Sequence, residues 1–242
     1  RVVRGRPDAI LTTRGMVERG FEALDSGVGL IIRITGGFTV LGGKFEEAMI
    51  SSVAHVLKLG ATGVAVTVKF GHEREDEFTR QASLVADDCY SWGMPLMTEV
   101  WPAGKNVSKP SDLSAVKLGA RAAAEYGTDI VKTFYPGTEE GCAEVAAGCP
   151  VPVVVLGGEK ADAPIDTFRM VESAVRAGAA GVAMGRRQLA SQALASGALV
   201  MPFPDMAVRC EPRYYLATLP HRQCPKIQAF IRWIQDQAQG AP

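Results

Sequence analysis

An alternation of two patterns repeats along most of this chain and limits what it can fold into. Short apolar runs recur near residues 9, 30, 64, 96, 130, 153 and 182, and stretches of helical periodicity lie between most of them. Strands joined by short connections and a helix run parallel, through right-handed crossovers. Seven such strands exceed the complement of a doubly wound sheet and fall one short of a closed barrel. No Gly-x-Gly-x-x-Gly pattern follows the first run, which argues against a dinucleotide-binding sheet. The fold expected is α/β, a TIM-type (β/α) barrel with one βα unit unaccounted for.

The runs differ in detail. Asp8–Gly15 reads as a short buried strand closed by Gly15, and Gly29–Gly37 as a second strand holding Arg33. Glu46–Leu59 reads as a helix with Met49, Ile50, Val53, Val56 and Leu57 on one face, and His55 near its edge as a surface residue. Gly63–Lys69 and Pro95–Trp101 are strands; Glu77–Trp92 is a helix burying Phe78, Val85, Cys89 and Trp92. Asp112–Tyr126 is a helix capped by Ser111 or Asp112. Strands at Ile130–Phe134, Pro152–Leu156 and Gly181–Arg186 alternate with helices near Glu139–Ala147 and Asp166–Ala177. Gly60, Gly93, Gly127 and Gly178 stand where helices end.

Beyond residue 187 the texture changes, so the chain divides into a barrel, 1–187, and a tail, 188–242. The tail offers Tyr214–Leu219 as a strand and Pro225–Gln237 as a helix with Ile227, Phe230, Ile231 and Ile234 on one face. Together they amount to one βα unit, able to fill or cover the gap in the barrel. The chain opens on Arg1 rather than Met, and a preceding segment is expected to be missing.

Composition excludes several classes. With 242 residues, 47% of them hydrophobic, and zero net charge, the chain reads as soluble and globular, with no basic stripe to suit nucleic acid. Apolar runs such as Val151–Leu156 are too short to span a bilayer, and no signal peptide is visible. Cys89, Cys142, Cys149, Cys210 and Cys224 are scattered without a CxxC pair. They read as reduced thiols in a cytoplasmic protein, neither a disulfide frame nor a zinc site. No metal or cofactor is expected.

Four charged residues stand inside otherwise apolar strands: Arg33, Lys69, Glu99 and Lys132. Reacting groups in parallel barrels sit at the C-terminal ends of the strands, and these four fall near those ends. Strand alternation puts Ile130, Lys132 and Phe134 on one side, with the barrel interior as a home for the amine. A buried lysine among other cations favours its neutral, nucleophilic form, which forms Schiff bases with ketones and aldehydes. Glu99 would then move protons. The alternative is a strand-end lysine that reaches solvent or a phosphate. Gly157-Gly158 and Gly185-Arg186 end the last two strands, and amides bared by glycine beside an arginine suit a phosphate.

Three segments carry a resemblance: Gly127–Gly137 (GTDIVKTFYPG), Pro150–Gly158 (PVPVVVLGG) and Ala179–Arg186 (AAGVAMGR). The region 8–187 resembles the class I aldolase family that includes archaeal-type fructose-bisphosphate aldolase and deoxyribose-phosphate-aldolase-like barrels. Within it, Asp8–Gly15, Gly71–Glu75 and Ala147–Pro152 are similar to the thiolase that cleaves a phosphorylated autoinducer-2 product. The resemblance implies a barrel with Lys132 as Schiff-base lysine and Gly157, Gly158, Gly185 and Arg186 holding a substrate phosphate. It also implies a phosphorylated sugar, or a small ketone or aldehyde, as substrate, and a homo-oligomer. The family's first strand, with its Asp-His-Gly motif, has no counterpart here, and Trp101 stands where the aldolase branch has a proton-transferring tyrosine. Parts of 181–238 resemble the end of LysR-type effector domains. Three functions follow as expectations: an aldolase, a thiolase-like acyl transfer to coenzyme A, or a non-catalytic sugar-phosphate-binding protein.

Overall fold

The computed structural model describes residues 7–20, 28–37, 44–157 and 164–185 and the strand 214–218. In chain order, β1 (Ala9–Thr13) and α1 (Arg14–Gly20) lead to β2 (Gly29–Arg33) and then to a small two-stranded sheet, β3 (Thr35–Gly36) with β4 (Ala48–Met49). There follow α2 (Val53–Lys58), β5 (Gly63–Phe70), α3 (Glu75–Trp92), β6 (Leu96–Pro102), α4 (Leu113–Glu125) and β7 (Ile130–Thr133). Next come α5 (Glu139–Gly148), β8 (Val153–Leu156), α6 (Pro164–Arg176), β9 (Gly181–Gly185) and β10 (Tyr214–Thr218).

The large sheet closes on itself in the order β1-β10-β9-β8-β7-β6-β5-β2. Its pairs from β1 through β2 and β5 to β9 are all parallel. The expected (β/α) barrel is therefore present, and each expected strand from residue 9 to 182 lies in it. β10 enters between β1 and β9, antiparallel to both, with Leu216 opposite Ala9 and Tyr215 opposite Met184. A βα unit of the usual kind would have run parallel. The expected helix 225–237 lies outside the described residues.

Two apolar layers follow from strand alternation. Outward-facing Leu30, Ile32, Val64, Val66, Val68 and Val100 are buried with helix residues such as Phe78, Val85 and Val116. Inward-facing Ala9, Leu11, Ile31, Ala65, Met97, Ile130, Val154 and Ala183 fill the barrel interior. α4 lies so close to the sheet that a Cβ on Gly119 would meet Val100 Cγ1 at 2.6 Å and Phe70 Cδ2 at 3.1 Å. Asp112 caps that helix, accepting from the Ala115 amide at 3.1 Å. All four glycines expected to end helices have positive φ.

Three expectations about elements need correction. The helix read over Glu46–Leu59 begins only at Val53, where the Ser52 hydroxyl caps it by accepting from the His55 amide. Before it the chain is extended, because Glu47 turns inward to meet Arg33 and the Ile50 amide donates to the Ile34 carbonyl. Met49 and Ile50 are consequently exposed. Gly15 does not close β1; the chain turns straight into α1, whose Val17 packs on the core. Trp92 is exposed at the end of α3, and Met94 is buried just past Gly93.

Candidate active site

The barrel interior changes character one layer above its apolar floor. Thr67 pairs in register with Glu99 and Glu99 with Lys132, and Lys132 with Val154, so three polar side chains share a layer directly above Ala65, Met97 and Ile130. One residue pair further along, Lys69 stands beside Trp101. Lys132 and Lys69 are buried at 2% and 0% exposure.

Lys132 Nζ donates to Glu99 Oε1 at 2.7 Å. The other oxygen of Glu99 accepts from the Thr67 hydroxyl at 3.1 Å and lies 3.9 Å from Arg33 NH1. Arg33 NH2 donates to Glu47 Oε1 at 2.8 Å, and Lys69 Nζ lies 3.5 Å from the same oxygen. The four charged residues expected at the rim thus meet in one chain of alternating charge, with Glu47 as a fifth member. Trp101, Phe45 and Phe134 form an aromatic layer at the rim, with centroid separations of 5.5 and 5.0 Å around the Trp101 ring. The Lys69 ammonium lies 3.4 Å from the Phe45 ring centre.

Burial by itself would raise the Glu99 carboxyl; Lys132, then Arg33, and hydrogen bonds from Lys132 and Thr67 outweigh it and hold the group below the usual carboxylate range. Burial lowers Lys69, and Glu47 opposes that shift.

Glu47, Phe45 and Thr67 escape the sequence reading. Thr67 carries a signal, since it shares a strand face with Lys69 two residues on. Glu47 carries none, because an acidic pair in Lys-Phe-Glu-Glu reads as a solvated helix start. The Gly157 amide donates to the Ala183 carbonyl, so it belongs to the strand ladder and offers no free donor to a phosphate. Gly185 ends β9. Gly158 and Arg186 lie outside the described residues. His55 bonds Glu18 at 3.1 Å on the surface. Among the described residues no group of three or more His, Cys, Asp or Glu is placed to hold a metal, and no helix is long and apolar enough to cross a membrane.

A (β/α) barrel with a buried lysine bonded to a carboxylate near its C-terminal rim is an arrangement that suits lysine-dependent carbonyl chemistry. The chain belongs to the DeoC/LacD family of aldolases, whose profile matches residues 1–191. It is 32% identical over 199 residues to a 2-amino-4,5-dihydroxy-6-oxo-7-(phosphonooxy)heptanoate synthase of Streptomyces griseus, spanning 82% of this chain and 72% of that one. It is 32% identical over 179 residues to 2-amino-3,7-dideoxy-D-threo-hept-6-ulosonate synthase 1 of Archaeoglobus fulgidus, covering 74% of this chain and 66% of that one. A Schiff-base-forming fructose-1,6-bisphosphate aldolase superposes with a TM-score of 0.68 at 28% identity, covering 72% of this chain and 69% of that one. An archaeal fructose-1,6-bisphosphate aldolase with its catalytic lysine bound to the carbinolamine intermediate superposes with a TM-score of 0.69 at 28% identity, covering 73% and 70%. The chain is a class I aldolase-type enzyme.

Proposed function

We propose that Lys132 is the Schiff-base lysine and that the substrate is a phosphorylated ketose. One observation carries the reading: the Lys132 amine is buried in the barrel and bonded to Glu99 at 2.7 Å. Glu99 takes a proton from the ammonium, and the freed amine adds to the ketone carbon. The carbinolamine loses its hydroxyl as water, with a proton returned by Glu99, and an iminium remains. Cleavage passes the electron pair of the breaking carbon–carbon bond to the iminium nitrogen, giving an enamine, while the departing fragment gives its hydroxyl proton to the Glu99 carboxylate and leaves as an aldehyde. Protonation of the enamine carbon and attack by water release the ketone and restore the amine. Run in reverse, the steps form the bond.

The phosphate is assigned to Gly158, Gly185 and Arg186; the amide of Gly157 is already bonded to the Ala183 carbonyl. The relatives' names support a phosphorylated carbonyl substrate: one reads as a phosphonooxy ketone and another as fructose bisphosphate. The part beyond residue 187 is read as completing the barrel, a reading supported by β10, which supplies its eighth strand. Family resemblance supports a cytoplasmic homo-oligomer. Borohydride reduction in the presence of dihydroxyacetone phosphate tests the imine. A reduced adduct on the Lys132 peptide is expected; an unmodified Lys132 overturns the reading, and acyl transfer to coenzyme A would give no such adduct.

A further inference from the structure

Three consecutive residues hold three different parts of the rim. Phe45 packs on Trp101 of β6 and under the Lys69 ammonium of β5. Glu46 pairs with Arg74, which also grips Glu77 of α3. Glu47 turns inward to Arg33 and Lys69. Their backbone is fixed from both sides. Ala48–Met49 pair with Thr35–Gly36, and a Cβ on Gly37 would lie 2.6 Å from the Glu46 carbonyl oxygen.

Glu47 is 2% exposed and is separated from Lys132 in the chain of charges by Arg33 and Glu99. Its Oε1 binds Arg33 NH2 at 2.8 Å, while Arg33 NH1 faces Glu99 Oε2 at 3.9 Å. One guanidinium is thus shared by two carboxylates, and its position and effective charge at Glu99 depend on Glu47. We infer that Glu47 is a positioning residue of the reaction, acting through Arg33 on the carboxylate that exchanges protons with Lys132. This rests on the imine reading above.

The sign of the effect follows from the neighbours. Glu99 is faced by Lys132 from β7, Arg33 from β2 and the neutral Thr67 from β5; Glu47 is faced by Arg33 and Lys69. Glu47→Gln keeps an oxygen acceptor for Arg33 and removes a negative charge. Arg33 and Lys69 then act on Glu99 less opposed, the carboxylate form is favoured, and Glu99 stays ionised to lower pH. Arg33→Gln removes a cation and acts in the opposite direction.

The test is the pH profile of borohydride trapping on the full chain with dihydroxyacetone phosphate, read as adduct on the Lys132 peptide, with thermal melting as a control for folding. In Glu47→Gln the acid limb is expected to move down by on the order of half a pH unit or more. In Arg33→Gln it should move up. Glu47→Asp, which keeps the charge, should bring the limb back toward its original place. A Glu47→Gln variant that folds and loses yield equally at every pH, with its limb unmoved, overturns the inference. If that variant does not fold, Arg33→Gln and Glu47→Asp carry the test, and a limb in Arg33→Gln that stays in place or moves down overturns it. Absence of an adduct in the unsubstituted chain overturns the imine reading itself, which separates the two failures.

Discussion

Lys132 and Glu99 are register partners on adjacent parallel strands, and their side chains meet at 2.7 Å inside the barrel. Side chains at paired positions point to the same face, so the strand pairing itself holds amine and carboxylate together without loop closure.

Exchanging Glu99 for Gln removes the proton acceptor and keeps the shape. Imine formation should slow by about a hundredfold or more, the scale of a lost general acid–base group. Single-turnover trapping at Lys132 measures it; a change of less than about threefold would dismiss Glu99 from the proton transfer.

The same residue makes stability depend on acid. Glu99 titrates below its ordinary value in the folded chain because Lys132 and Arg33 outweigh the effect of burial. The native state therefore binds the proton less well than the unfolded chain. The stability this contributes is complete above the ordinary carboxylate value of 4.5 and is lost as pH falls from there through the folded value. In Glu99→Gln the melting temperature should fall less steeply over that acid range. Melting curves below pH 5 compared with those near neutrality check it; equal slopes in both chains would contradict the assignment.

Burial pushes the Cys89 thiol up to about 12 and the Cys142 thiol to about 11, and raises Cys149 as well. Thiolate is the reactive form, and all three sulfurs are enclosed. Iodoacetamide at pH 8 should leave these three unlabelled in the native chain and label them after denaturation. Peptide mapping reads this directly, and fast native labelling of Cys89 would contradict the packing.

Gly119→Ala sets two rules against each other. Alanine is favoured over glycine inside a helix by up to about 1 kcal/mol. At this site the added methyl would lie 2.6 Å from Val100 Cγ1, which forces α4 off the sheet. Overpacking of that kind costs about 1–3 kcal/mol, so destabilisation should win. Urea unfolding measures the difference; a more stable variant would mean that α4 shifts freely on the sheet.

How much was legible in the sequence depended on how local the signal was. Strand order and the inward face of Lys132 follow from period-two alternation and short connections, which act over a few residues. Asp112 and the glycines at helix ends are local as well. Glu47 and Phe45 were not legible, because their burial is decided by Arg33, Lys69 and Trp101 on other strands. Propensity for 46–52 favoured a helix, and an inward ion pair overruled it. The direction of β10 was equally hidden: alternation fixes the faces of a strand and says nothing of which way it runs.

The antiparallel strand that completes the ring also dictates the order in which the fold can be made. Each βα unit from β5 to β9 pairs with the one just before it, so these contacts can form as the chain is synthesised. The seam is different, since Ala9–Leu11 meet Tyr214–Leu216 across almost the whole sequence. Until residue 218 has left the ribosome, β1 and β9 each present an open edge, with residues 186–213 still to pass. Seam formation is expected to come last, since it alone joins the two ends of the ring. A nascent chain stalled before that point is the species with most reason to pair with its neighbours.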